Sequence, residues 1–369
     1  MLIYYLALLY ILLLGLIFYR FKTDWSKQIF LFLSFLGLFL LMAMRSETVG
    51  TDLYIYRNKF ELISVAKSWR DVTSVVDNAP VYCLLNKLVS YIGNYRVFMV
   101  VIAFIILFSV AFYIYHFSEN VVISTYCFVV LFFYLHTYNI SRQFLAIALY
   151  LLSLCFRKER KFILCVIFFL LALGVHSTAF IVLPSLLLNR DQITSKKFAI
   201  YMLVASIGVF LYFISFDRII NLFVSIFPRY QFYLQSGRFN VLNESSGSVI
   251  FLSLFYLLVV ALAVIIQSNK LSDVSLNFKD KSHLRFLIIF VLFGALMGTF
   301  GGGNEALTRV LYFYQIHIIC LIPNTFSKLR RFRFYYPLYY GLMMILLVPF
   351  TIPLSRNFGG VVPYITVWQ

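Results

Sequence analysis

The chain has 369 residues, 62% of them hydrophobic and 12% charged, with a mean hydropathy of +0.91. A soluble domain carries about 25% charged residues around one core; here the apolar residues come in blocks of bilayer-crossing length, which excludes a soluble globular fold. The formal charge of +17 would point to nucleic acid in a soluble protein, but most basic residues sit in short loops between apolar blocks, where they set topology, and no nucleic-acid partner is expected.

Apolar blocks are predicted at about 2–19, 28–44, 97–117, 121–137, 143–156, 162–175, 177–188, 198–216, 249–267, 286–300, 309–326 and 336–352. Residues 2–19 lack a basic n-region and a small-residue cleavage site, so they read as the first span. Arg20, Lys22 and Lys27 follow the first block, and Arg157, Lys158, Arg160 and Lys161 the fifth. Arg190, Lys196 and Lys197 follow the seventh, Lys270, Lys279, Lys281 and Arg285 the ninth, and Lys328, Arg330, Arg331 and Arg333 the eleventh. With these loops in the cytoplasm, both termini lie outside.

The stretch 162–188 is too long for one upright helix and too short for two full crossings, yet basic loops flank it on both sides. A broken pair of short segments is predicted, with the break at Gly174-Val175-His176-Ser177 and Pro184 weakening the second half. Irregular backbone at membrane depth survives only beside protein or a wet cavity, so the break is a candidate cavity wall. Two outer loops are long. Residues 45–96 contain an amphipathic run, with Val81, Leu84, Leu85, Leu88 and Ile92 on one face, that predicts an interfacial helix. Residues 217–248 mix Arg218, Arg229 and Arg238 with Tyr230, Phe232, Tyr233 and Phe239. No separate soluble domain is expected.

Positive-inside logic leaves arginines at outer span ends to be explained. Arg45 ends the second block, Arg142 opens the fifth and Arg309 opens the eleventh, all at the depth of a lipid head group. Guanidinium groups hold phosphate oxygens in a bidentate fork, so three of them beside Gln143, Asp52 and His176 suit a diphosphate; the alternative for each is snorkelling to the interface. Gly50 permits a tight turn that leaves Asp52 near the surface, either to orient or deprotonate a sugar hydroxyl or to cap the next helix with Thr51. His176 in the break is a candidate general base or phosphate donor, or a satisfied structural histidine. His136 and His317 are weaker candidates.

The five cysteines, Cys83, Cys127, Cys155, Cys165 and Cys320, are scattered and read as buried hydrophobes, not disulfides or metal ligands. The sequence contains no DxD, no phosphate-loop motif and no HExxH; Gly301-Gly302-Gly303-Asn304-Glu305 is a connector. Acidic residues are missing from the apolar blocks, which counts against a coupled transporter.

Four segments together carry a resemblance: Arg45…Val49-Gly50-Thr51-Asp52…Tyr56…Phe60, Ser141-Arg142-Gln143-Phe144-Leu145-Ala146, His176-Ser177 with Pro184, and Arg309-Val310-Leu311-Tyr312-Phe313. In order and spacing the chain resembles the EpsG/Wzy-like family of bacterial polysaccharide polymerases, departing in Ser141, where Ile or Leu is common. The resemblance implies an all-α polytopic membrane protein of the glycosyltransferase C type, with about 12 segments including the broken pair and with long outer loops. It implies a site facing outside the cytoplasmic membrane, undecaprenyl-diphosphate-linked oligosaccharide as substrate, no cofactor and no metal. A chain-length regulator is a candidate further partner. On this reading Arg45, Arg142 and Arg309 bind diphosphate, His176 or Asp52 is the base, and Gln143, Tyr56, Tyr312 and Arg229 contact substrate. The competing expectations are a related glycan ligase or acyltransferase, and a lipid-linked oligosaccharide flippase.

Overall fold

A computed structural model describes residues 1–18, 23–188, 190–215, 246–268, 277–301, 305–330 and 333–368, with residues 218, 221 and 225. The described residues are helical apart from turns, short irregular segments and an isolated antiparallel bridge between Arg45 and Thr366. Arg229, Arg238 and the loop aromatics Tyr230, Phe232, Tyr233 and Phe239 lie outside the described residues.

The first helices are α1 (Leu2–Phe18), α2 (Asp24–Met44), α3 (Leu53–Val65), α4 (Trp69–Val75), α5 (Pro80–Ile92) and α6 (Tyr95–Phe117). Then come α7 (Val121–Val130), α8 (Phe133–Asn139), α9 (Ser141–Lys158), α10 (Phe162–Val175), a 3-10 turn over Ser177–Val182, and α11 (Leu183–Leu187). The rest are α12 (Ser195–Ile214), α13 (Ser246–Gln267), α14 (Phe278–Gly301), α15 (Glu305–Gln315), α16 (Ile318–Ser327), α17 (Tyr335–Ile345) and α18 (Leu347–Ser355). Side-chain caps fix several starts, because the first amides of a helix have no partner within it. Thr23 and Ser26 form a reciprocal capping box on α2, and Asn94 accepts from the amides of Arg96 and Val97 at the start of α6.

Each predicted apolar block is occupied by helix, but not each is a full crossing. Seven helical segments among the described residues are long and apolar enough to span a bilayer, or eight if α7 and α8, bent by 49°, count as one. α1, α10 and the segment Ser177–Leu187 are apolar but shorter. α9 carries Arg142, Arg157 and Lys158 within its eighteen residues. The break predicted at His176 is present, between α10 and the 3-10 turn. The bend at Leu131–Phe132 is not predicted: Phe132 adopts φ +68°, with neither glycine nor proline to mark it. Loop 45–96 holds three helices where one was expected. Leu84, Leu88 and Ile92 on α5 are uncovered by protein while Tyr82, Cys83, Asn86 and Val89 are buried, as an interfacial helix requires. All five cysteines are free and buried.

The chain forms two compact units, Met1–Leu183 with Pro337–Gln369, and Pro184–Tyr336. In the first, α9 is the central helix, buried at every position from Gln143 to Cys155 and packed against α6 and α10; an all-round apolar helix needs such surroundings. Its basic loop lies where α2 begins and α6 ends. His116 Nε2 meets Glu159 Oε1 at 2.8 Å, the ammonium of Lys158 donates to the His116 carbonyl, and Gln28 donates to the Tyr115 hydroxyl at 3.3 Å. In the second unit, Arg285 donates to Gln267 (2.7 Å), to the Ile193 carbonyl (2.8 Å) and to Ser195 (2.8 Å), and Lys328 is 3.9 Å from Asp280. Three basic loops of that unit thus share one end. Within each unit, loops predicted on one side are found together.

Candidate active site

The end of the first unit opposite its basic loop is built on the segment after α2. Gly50 has φ +127°, a conformation open mainly to glycine, and its amide donates to the Gly360 carbonyl at 2.9 Å. A Cβ there would stand 2.9 Å from Asn139 Oδ1. Asn139, at the end of α8, accepts from the Thr51 amide at 2.7 Å and donates to the Gly359 carbonyl at 2.9 Å. The C-terminal segment is laced across the same end: Tyr4 donates to the Val361 carbonyl (2.7 Å), Tyr364 to the Leu41 carbonyl (2.9 Å), and the Ser46 amide to the Ile365 carbonyl (2.8 Å). Arg96 donates to the carbonyls of Ala43 and Arg45, satisfying acceptors that α2 leaves open at its C-terminus.

Arg45 departs from the expected open phosphate ligand. It is 2% exposed, its guanidinium lies 4.1 Å over the Tyr138 ring, and Nη2 donates to the Tyr138 carbonyl at 3.3 Å. Its Nε and Nη1 are buried with no hydrogen-bond partner among the described residues. Burial pulls its pKa below the ordinary arginine value, while Tyr138, Tyr95, Tyr134 and Tyr4 around it act the other way. A guanidinium sealed among tyrosines holds the end together and presents no fork to a ligand.

Arg142, at the start of α9, is half-buried with its guanidinium 5.9 Å from the ring centre of Tyr82 on α5. Its side-chain nitrogens have no hydrogen-bond or ion-pair partner among the described residues. Lys59 on α3 is half-buried beside it, within electrostatic reach of Arg142, Asp52 and Cys83; burial, then Arg142, holds its pKa below the ordinary lysine value. Asp52 stands at the N-cap position of α3, yet its side chain makes no capping bond; its Oδ1 accepts from Thr51 Oγ1 at 3.1 Å. The capping role open to it from sequence is therefore not its role here. Tyr56, half-buried on α3, is within electrostatic reach of Tyr82, whose hydroxyl pKa is raised by burial first and Tyr56 second.

His176 reaches this end from α10. α9 and α10 form an antiparallel hairpin around the basic loop, and at about 1.5 Å per residue Arg142 and His176 lie within about one turn in height. Gly174 lets α10 approach α5 closely at Val81, the residue before Tyr82. His176 Nδ1 is 2.8 Å from Thr178 Oγ1, which orients the half-buried imidazole; with the proton on Nδ1, Nε2 keeps the lone pair that a base needs. Asp52, Tyr56, Arg142 and His176 thus occupy one end of one unit.

The remaining candidates lie elsewhere. Gln143 is 3% exposed, inside the packing around α9. Arg309, exposed on α15, and half-buried Tyr312 one turn on belong to the second unit, at its end opposite the basic loops. His317 is fully buried between Phe286 and Phe290, so helix packing accounts for it. His136 lies edge-on to Phe132 and Phe358. Sequence reasoning missed Lys59, Arg96 and Asn139. Asn139 and Arg96 had a signal in their place at span ends; Lys59, in a polar helix among other charges, had none.

No curated protein and no solved structure matches the chain. Residues 28–366, nearly its whole length, match the model of the EpsG family, and the chain, a multi-pass α-helical membrane protein with a polysaccharide-polymerase type of function, belongs to that family.

Proposed function

We propose that the protein joins undecaprenyl-diphosphate-linked oligosaccharide repeats into a polysaccharide at the outer face of the bacterial cytoplasmic membrane, as an inverting, metal-independent glycosyltransferase of the C type with about 12 membrane segments, the broken short pair included. The observation that carries this reading is the Arg142 guanidinium, half-buried at the end opposite the basic loops and free of any ion-pair partner among the described residues. With basic loops inside, that end faces out, at the depth of an outer-leaflet head group.

The chemistry balances on groups of this chain. The hydroxyl of the acceptor repeat gives its proton to His176 or Asp52, and its oxygen attacks the anomeric carbon of the donor. The bond from that carbon to the diphosphate oxygen breaks, and its electron pair leaves with the diphosphate. Negative charge grows on the leaving group, where Arg142 stabilises it; Arg309 keeps its expected part as a further diphosphate ligand. Attack opposite the leaving group inverts the configuration. Tyr56, Tyr312 and Arg229 keep their expected part as substrate contacts, and Gln143, inside the packing around α9, supports Arg142 from within the helix. Arg45 moves from ligand to support. The uncovered apolar face of α5 supports an interfacial position beside the site.

The test is a deletion strain complemented with wild type or Arg142→Ala. Loss of a polymerase leaves single repeats at the outer surface; stranding of repeats inside would instead identify a flippase. Single repeats outside, cured by wild type and not by the variant, are expected.

A further inference from the structure

We propose that Lys59 is a second cationic ligand beside Arg142, and that the two form a seat for one multiply charged phosphate group, a diphosphate by preference. The inference rests on the reading of Arg142 as the head-group contact. Lys59 stands on α3, Arg142 on α9, and both converge on consecutive residues of α5: the Arg142 guanidinium lies over Tyr82 and Lys59 is within electrostatic reach of Cys83. Each is half-buried, and neither side chain has a hydrogen-bond or ion-pair partner among the described residues. Lys59 feels Asp52 without an ion pair to it; Asp52 Oδ1 accepts from Thr51 Oγ1.

Two like charges brought together out of bulk water are unfavourable unless an anion joins them. The same repulsion pulls the Lys59 pKa down, after burial itself. A guanidinium offers a planar fork and an ammonium a compact point charge; together they complement a group with two phosphate centres better than a single phosphate. The other cation of α3 does not share this state: Arg57 is paired at 2.8 Å with both Glu47 and Glu61. Lys87 donates to the carbonyls of Ile63, Ser64 and Ala66. Among the described cations Lys59 and Arg142 are half-buried and stand at neighbouring positions along α5 without a partner.

The experiment uses the full chain in nanodiscs, with two probes, inorganic pyrophosphate and a polyprenyl diphosphate incorporated in the disc. Lys59→Met should weaken binding of the diphosphate by about tenfold or more, as expected for loss of one charge-assisted contact, and Lys59→Arg should restore most of it. The ligand-free Lys59→Met protein should melt at the wild-type temperature or above, since removing the charge relieves repulsion. Binding of the lipid probe alone identifies the head group as the source, and binding of both a diphosphate from either; each supports the seat. Unchanged binding by Lys59→Met, or a ligand-free melting temperature below wild type, overturns it. A Lys59→Met protein that makes normal polymer rejects the seat and leaves the polymerase standing. Wild type that binds diphosphate through Lys59 yet extends no repeat rejects the polymerase and leaves the seat.

Discussion

The guanidinium of Arg45 lies 4.1 Å above the ring of Tyr138 and donates to the carbonyl of the same residue at 3.3 Å. The contact ties the end of α2 to α8 by a cation–π interaction and one charge-assisted bond. Lysine at this position would keep the charge and lose the planar stacking, so Arg45→Lys should destabilise the protein by about 2 kcal/mol. Arg45→Met, which removes the buried charge with two unpartnered nitrogens, should cost less. Thermal unfolding in detergent gives the order; a phosphate ligand would give the reverse order in activity, with lysine tolerated better than methionine.

Gly50 and Asn139 act as one joint. Gly50→Ala forces a side chain into a left-handed conformation against Asn139, and about 2 kcal/mol of stability should be lost. Asn139→Ala leaves the Thr51 amide and the Gly359 carbonyl without partners and should cost a similar amount. The two effects should not add, because both free the same loop. Melting temperatures of the single and double variants check this.

Arg142 should behave differently. Arg142→Ala removes a partly exposed charge and should leave insertion and melting close to wild type while polymer formation falls by about 100-fold or more. Arg309→Ala should have the same consequence from the second unit. Wild-type amounts of polymer from both variants would remove the diphosphate clamp from the account.

His176 and Asp52 are separable as bases. Replacing the true base should lower turnover by about 100-fold or more, with substrate binding retained. His176→Gln and Asp52→Asn keep shape and hydrogen bonding and lose the ability to take the proton. Single-turnover rates with a defined lipid-linked repeat decide between them; full activity from His176→Gln excludes that imidazole.

The depressed pKa of Lys59 has a pH signature. In the folded protein its proton is released below the ordinary lysine value of 10.5, through burial and the neighbouring Arg142. Stability linked to the neutral amine is fully present above 10.5 and is lost as pH falls through the depressed value. Anion binding runs the other way, because the anion needs the ammonium. Pyrophosphate affinity should therefore fall on the alkaline side before an ordinary lysine titrates, and Lys59→Arg should shift that fall to higher pH. The charged or titratable groups facing Lys59 are Asp52 from its own N-terminal turn, Cys83 from α5 and Arg142 from α9, so Asp52→Asn is the control for its own contribution.

Much of the architecture was readable in the order of residues, because apolar blocks and basic loops report the bilayer directly. The break at His176 followed from a length that fits neither one crossing nor two. The bend at Phe132 did not, since tertiary packing holds a phenylalanine in a left-handed conformation that carries no glycine or proline mark. Arg45 and Arg142 look alike in sequence, each at a span end. Their difference lies in neighbours brought from afar: Tyr138 and the C-terminal segment close over Arg45, whereas Tyr82 and Lys59 leave Arg142 open. Lys59 gains its meaning only when α3 folds against α5.

The most direct measurement is the product ladder made by purified protein in lipid from one chemically defined undecaprenyl-diphosphate-linked repeat, read with and without chelator. Wild type should give a ladder stepping by one repeat, unchanged by chelator, with release of undecaprenyl diphosphate and inverted configuration at each new linkage, and Arg142→Ala should give none. Unextended single repeats from wild type, or a ladder that Arg142→Ala reproduces, would contradict the account.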